Sequence, residues 1–262
     1  MKHKARKRFG QNFLHDQGII QQIIHAIQPG KSDNIVEIGP GKGALTAPLL
    51  HAATKLNVIE LDRDLIPILK QNLGYSECLN IHNVDALKYD FSQLEKEKNH
   101  LRVVGNLPYN ISTPLLFHLI NYASVIKDMH FMLQKEVVDR ITAKPNHKNY
   151  GRLSVMLQYH CFAEKLFVVK PGAFSPAPKI DSAIIRLIPY SDKPVKANNL
   201  NVFSAVVSQS FSQRRKTLRN NLKSMLNEDE IAELAINPAA RAETLSIGEF
   251  VKLANQVNNK TA

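Results

Sequence analysis

Asn106-Leu107-Pro108-Tyr109 places a side-chain amide, a proline-stiffened turn and an aromatic ring within four consecutive residues. That set suits the exocyclic amine of adenine, a poor nucleophile because its lone pair is delocalised into the ring. The Asn106 amide oxygen and a main-chain oxygen near Leu107 can accept its two N–H bonds, favouring a pyramidal nitrogen with a directed lone pair. Pro108 fixes the turn and removes a competing backbone donor. Tyr109 offers a π-face for the base. Such a site works by orientation and hydrogen bonding, without a strong base, because the nitrogen turns acidic once alkylated. The plainer alternative is a capping asparagine beside a packed tyrosine.

A second group of residues suits a methyl donor. Ile35-Val36-Glu37-Ile38-Gly39-Pro40-Gly41-Lys42-Gly43 reads as a strand, a glycine turn and the start of a helix. Its Gly39-x-Gly41-x-Gly43 spacing departs from the G-x-G-x-x-G dinucleotide fingerprint, and Glu37 puts a carboxylate where a pyrophosphate would be repelled. S-adenosylmethionine carries an ammonium and a sulfonium instead, so the turn fits it better. Glu60, ending the next strand, can accept both ribose hydroxyls; alternatively it is a solvated strand-end acid. Asp85, after the third strand, can accept the adenine amino hydrogen or simply close an Asx turn. Positions at successive strand ends are where open α/β sheets bind ligands. An adenine stacked in RNA must be extruded to reach such a site, at a few kcal/mol, partly returned by stacking at about 1–3 kcal/mol per base. Phe174, between Pro171 and Pro178, is a second candidate stacking surface, or otherwise a loop-packing residue.

These residues need a scaffold. Apolar periodicity (Ile19, Ile20, Ile23, Ile24, Ile27) predicts a helix within 12–28, stopped by Pro29-Gly30. Strands at 34–38, 56–60, 79–82, 101–105 and 128–133 alternate with helices at 43–53, 63–72 and 113–122. This predicts an α/β fold with a mostly parallel sheet covered on both faces. Helical stretches follow at 135–143 and 153–161. Two strand-like runs, 165–169 and 183–188, flank the proline-rich loop and suggest an antiparallel edge. Composition shifts at 189–194, so two domains are expected: 1–190, with a basic extension 1–11, and a helical 191–262 broken at Asn237-Pro238.

Across 262 residues, 34 Lys and Arg against 23 Asp and Glu give a net charge of +11, which favours a polyanionic partner. Arg6, Lys7 and Arg8 belong to one cluster; Arg214, Arg215, Lys216, Arg219 and Lys223 form another. Charge runs are as often solvated faces. No apolar run approaches the ~18 residues of a membrane span, and no apolar segment follows the basic start as in a secretory signal. Cys78 and Cys161 have neither disulfide nor zinc spacing. The expectation is a cytoplasmic protein with reduced cysteines, no membrane partner and no metal.

Over essentially its whole length the chain resembles the bacterial small-subunit (16S) ribosomal RNA adenine dimethyltransferases. The stretches that carry the resemblance are Arg8-Phe9-Gly10-Gln11-Asn12-Phe13-Leu14, the Glu37 to Gly43 turn, Asn106 to Tyr109 and Phe174-Ser175-Pro176-Ala177-Pro178-Lys179. Further on come Phe211-Ser212-Gln213-Arg214-Arg215-Lys216-Thr217-Leu218-Arg219-Asn220-Asn221-Leu222 and Arg241-Ala242-Glu243-Thr244-Leu245-Ser246. The resemblance implies a Rossmann-like class I methyltransferase sheet, a small all-helical C-terminal domain and a monomer. It implies transfer of four methyls to N6 of two adjacent adenosines in the 3′-terminal hairpin of 16S rRNA, within the immature small subunit. It places S-adenosylmethionine against Asn12, Leu14, Gly39, Gly41, Glu60, Asp85 and Asn106. The flipped base goes against Asn106, Leu107, Tyr109 and Phe174, and RNA phosphates against the two basic clusters. Gln213 and Ile180 depart from the family pattern, away from the chemistry. A related reading is the large-subunit adenine methyltransferase of macrolide resistance, against which the 214–222 stretch argues. An assembly factor that mainly binds immature subunits, and a nicotinamide oxidoreductase, are the readings from other classes.

Overall fold

The computed structural model describes residues 11–74, 76–94 and 100–261. A short strand β1 (Phe13–Leu14) leads into α1 (Gln17–Ile27), capped by the Asp16 carboxylate accepting the Ile19 N–H. Then β2 (Asn34–Ile38), β3 (Leu56–Ile59), β4 (Leu79–His82), β5 (Leu101–Asn106) and β6 (Ile126–Gln134) run parallel, with α2 (Thr46–Ala52), α3 (Ile66–Asn72) and α4 (Ser112–Ile120) between them. After α5 (Lys135–Ile141) and α6 (Arg152–His160) come β7 (Cys161–Val169), β8 (Phe174–Ser175) and β9 (Ser182–Pro189). Every residue of β2 is buried, as expected of a central parallel strand that reads as an apolar run.

The seven-stranded sheet has the order β4-β3-β2-β5-β6-β9-β7, with β9 antiparallel to β6. The two late strands do extend the sheet, but β9 lies inside and β7 takes the edge. Composition explains the order. Ala183, Ile184, Ile185 and Leu187 of β9 are all buried, whereas β7 carries Glu164, Lys165 and an exposed Phe162, features tolerated at an edge. β1 pairs with β8 in a separate two-stranded ribbon, Leu14 opposite Phe174.

Arg102 ties the far end of the sheet to α1. Its buried guanidinium donates to Asp33 at 2.6 Å, to Asp128 at 3.0 Å, and to the carbonyls of Ile27 and Gln28. The last turn of α1 and the starts of β2, β5 and β6 are thereby held together, away from the strand ends where the glycine turn lies.

Contacts divide the chain into Met1–Val138 with Phe162–Pro189, and Asp139–Cys161 with Tyr190–Ala262. The sequence reading puts one boundary near residue 190, whereas by contacts 139–161 groups with the C-terminal segment. Its helix α6 reads as buried on nearly every face, so it must be covered by other helices. That second unit adds α7 (Leu200–Ser210), α8 (Leu218–Leu222), α9 (Glu228–Ala232) and α10 (Ile247–Thr261). Tyr159 packs on Phe203 with ring centroids 4.4 Å apart, and Phe211 on Phe250 at 5.6 Å. The Tyr150 hydroxyl donates to the Leu245 carbonyl. No helix among the described residues is long and apolar enough to cross a membrane.

Candidate active site

At the carboxyl ends of the parallel strands lies a cavity of about 310 Å³. The glycine turn after β2 forms one wall, Glu60 and Asp62 after β3 another, Asp85 after β4 a third, and Asn106 to Tyr109 after β5 a fourth. Asn12, Phe13 and Leu14 also line it. The parallel strands thus gather residues from distant parts of the chain into one lining, as open α/β sheets do.

Gly39 and Gly41 adopt φ of +69° and +59°, the left-handed region that only glycine enters freely. A Cβ on Gly41 would lie 3.2 Å from the Phe13 ring, so the missing side chain also lets β1 close down on the turn. Lys42 Nζ sits 4.6 Å from the same ring centroid. Glu60 accepts the Asp62 N–H on one oxygen at 2.8 Å and the Gly41 N–H on the other at 3.3 Å, which fixes its carboxylate and leaves lone pairs on both oxygens. Burial raises its pKa. Asp85 lines the cavity, and its Oδ1 accepts the Leu87 N–H in an Asx turn.

Two further residues contribute: Glu37, read from sequence only as an acid beside the glycine turn, and Gln11, which has no role in the sequence reading. Glu37 is only 2% exposed and its Oε2 has no hydrogen-bond partner among the described residues. Burial pushes its carboxyl up to about 8, with the Glu60 carboxylate acting in the same direction. Gln11 donates to Asp62 Oδ2 at 2.9 Å, tying the segment before β1 to the loop after β3. The signals were present, in the acid two residues before the first glycine and in Glu60-Leu61-Asp62, but only proximity shows their use.

Asn106 donates from Nδ2 to the Asn12 carbonyl at 3.1 Å. An acceptor on that side fixes the amide orientation, so Oδ1 is the opposite end, and it accepts nothing among the described residues. Leu107 donates its N–H to Met132, while its carbonyl accepts no hydrogen bond among the described residues. Tyr109 lines the cavity with its hydroxyl 2.8 Å from Ser182 Oγ. Phe174, expected as a second stacking surface, lies elsewhere. It is 4% exposed, packs in the cluster containing Leu14, Met132 and Ile184, and does not line the cavity.

In the helical unit, Arg214 pairs with Glu243 at 3.1 Å and Arg219 with Glu228 at 2.9 Å. Arg215 and Lys216 are exposed and make no ion pair among the described residues. Arg6, Lys7 and Arg8, like most of the 1–11 extension, lie outside the described residues.

A mostly parallel sheet whose strand ends present a glycine turn, two strand-end acids and an Asn-Leu-Pro-Tyr turn defines a Rossmann-like class I methyltransferase. Comparison with known proteins narrows the class. A sequence model described as "Ribosomal RNA adenine dimethylase" matches residues 2–259. The chain belongs to that family and is an S-adenosylmethionine-dependent rRNA adenine dimethyltransferase. It is 58% identical over 255 residues to the ribosomal RNA small subunit methyltransferase A of Acinetobacter baylyi, covering 97% of this chain and 93% of the relative. The protein of the same name from Pseudomonas aeruginosa is 54% identical over 255 residues, with 97% and 95% covered. A crystal structure of a dimethyladenosine transferase from Plasmodium falciparum superposes with a TM-score of 0.83 at 29% identity, covering 95% of this chain and 98% of that one. The 23S rRNA methyltransferase ErmE shares the fold, with a TM-score of 0.72 at 23% identity and coverage of 94% and 100%.

Proposed function

We propose that the chain dimethylates N6 of two adjacent adenosines in the 3′-terminal hairpin of 16S rRNA, acting in the cytoplasm as a monomer on immature small subunits. The observation that carries the mechanism is the pair of acceptors at Asn106 Oδ1 and Leu107 O, which take no hydrogen bond among the described residues. These two oxygens take the amine N–H bonds and aim the nitrogen lone pair for in-line attack. Tyr109 stacks on the base after it has left the RNA helix. Phe174 supports the site from beneath, through its pairing with Leu14.

The donor fits the residues present. Glu37 has a buried oxygen without a partner, and Glu60 adds a second acid, which suits a cationic ligand and opposes a pyrophosphate. Bound, S-adenosylmethionine supplies a methyl group carried on cationic sulfur. Gly39 and Gly41 allow close backbone approach, Glu60 accepts ribose hydroxyls, and Asp85 accepts the adenine amino group. Asn12, Leu14 and Asn106 close the remaining side. The amine proton leaves to solvent after attack, so no side chain serves as base.

Arg215 and Lys216 supply phosphate contacts directly, while Arg214 and Arg219 do so in exchange with Glu243 and Glu228; Arg6, Lys7 and Arg8 provide a second contact. The test is transfer of labelled methyl groups to unmethylated small subunits and, in parallel, to large subunits, followed by nucleoside analysis and primer extension on both subunits' RNA. N6,N6-dimethyladenosine at two adjacent positions near the 16S 3′ end is expected. Label confined to large-subunit RNA would overturn the assignment.

A further inference from the structure

The Tyr109 hydroxyl reaches across β6 to a residue 73 positions later in the chain, Ser182. Ser182 is completely buried and is the first residue of β9, opposite Gln134 of β6. Its neighbour Asp181 is held twice: its carbonyl accepts the Lys135 N–H at 2.9 Å, and its carboxylate takes Lys170 Nζ at 2.8 Å. Lys170 and Asp181 thus close the base of the loop that carries Phe174. Ser182 is therefore a fixed post, and it touches the end of the tyrosine lever farthest from the backbone. Rotation about the first side-chain torsion swings the tyrosine tip through space, and a hydrogen bond at the hydroxyl restrains that swing. Apolar packing alone would be met equally by phenylalanine. Burial keeps the phenol protonated, so its hydroxyl here is a hydrogen-bonding group.

We infer that Ser182 is a positioning residue for methyl transfer, setting where the Tyr109 ring lies against the target base, and that this matters most for the second methyl. The inference rests on Tyr109 being the stacking face. Each round replaces one amine proton with a methyl group. In the first round two N–H bonds reach Asn106 Oδ1 and Leu107 O, and they orient the amine strongly. In the second round one N–H remains for two acceptors. The base then depends more on its stack, and a loosely held ring misdirects the lone pair.

Tyr109→Phe, Tyr109→Ala, Ser182→Ala and Ser182→Thr, with the Tyr109→Phe/Ser182→Ala double variant, test this on unmethylated small subunits. Tyr109→Phe and Ser182→Ala are each expected to slow the second transfer about tenfold with donor KM unchanged. N6-monomethyladenosine then accumulates. The double variant should be no slower than either single one, because both remove the same bond. Ser182→Thr should restore dimethylation. Tyr109→Phe leaves the Ser182 site intact, so wild-type product ratios in that variant would overturn the inference even if Ser182→Ala were inactive through misfolding. If Tyr109→Ala also kept full activity, the stacking reading itself would fall; if it lost activity while Tyr109→Phe did not, stacking would stand and the role of Ser182 would not.

Discussion

In the proposed mechanism the Asn106 amide is one of the two acceptors that position the reacting nitrogen. The Asn12 carbonyl commits Nδ2 of Asn106, and that commitment makes Oδ1 available to the amine. Asn106→Ala removes an acceptor that strengthens toward the transition state, so kcat should fall about 10²–10³-fold. Subunit binding, measured by cosedimentation, should stay near wild type. Glu37 gives a second prediction. Its ordinary value is 4.5 and its folded value about 8, so across that window the unfolded chain has released a proton that the folded chain still holds. The stability associated with Glu37 is therefore fully present below 4.5 and is lost as pH rises through about 8. Glu37→Gln should flatten the fall in Tm over that range. Addition of the cationic donor should oppose the fall in the wild type and have less effect in the variant.

Strand spacing depends on what is missing as much as on what is present. A Cβ on Gly105 would stand 2.5 Å from the Ile38 carbonyl, across the β2–β5 pair. Gly105→Ala must push these strands apart next to Asn106, and should cost about 1–3 kcal/mol of stability by denaturant unfolding. Methylation should fall as well, since the motif follows directly. At the other end of the strands, Arg102→Met removes the guanidinium that both Asp33 and Asp128 accept from, leaving Asp33 only the more distant Lys127 cation at 3.9 Å. Breaking a buried pair in this way costs about 3–5 kcal/mol, read as a lower urea midpoint.

The whole molecule carries +11, and in the helical unit that charge has an internal structure. Arg214 and Arg219 are partly neutralised by glutamates, whereas Arg215 and Lys216 are not. Neutralising Arg215 or Lys216 should each lower the slope of log affinity against log salt for small-subunit binding by roughly 0.7–0.9. Arg219→Ala should change it less, because Glu228 already offsets that charge.

Much was legible before folding was considered. The glycine turn, the strand-end acids and Asn-Leu-Pro-Tyr each follow a strand readable from sequence, and β2 and β4 begin and end where the sequence pattern places them. Such features are local: a turn needs its own glycines, and a buried strand needs its own apolar residues. Long-range geometry was not legible. Nothing in Phe174 or its prolines says that it faces the core, because that follows from β8 pairing with β1. Likewise the partnership of Ser182 with Tyr109, the unpaired oxygen of Glu37 and the grouping of 139–161 with the C-terminal helices arise from segments far apart in the chain. The sequence by itself determined which residues could do the chemistry and on which elements they ride. Only the tertiary structure decided which of them meet, because burial and hydrogen-bond partnership belong to pairs of segments and are carried by neither segment alone.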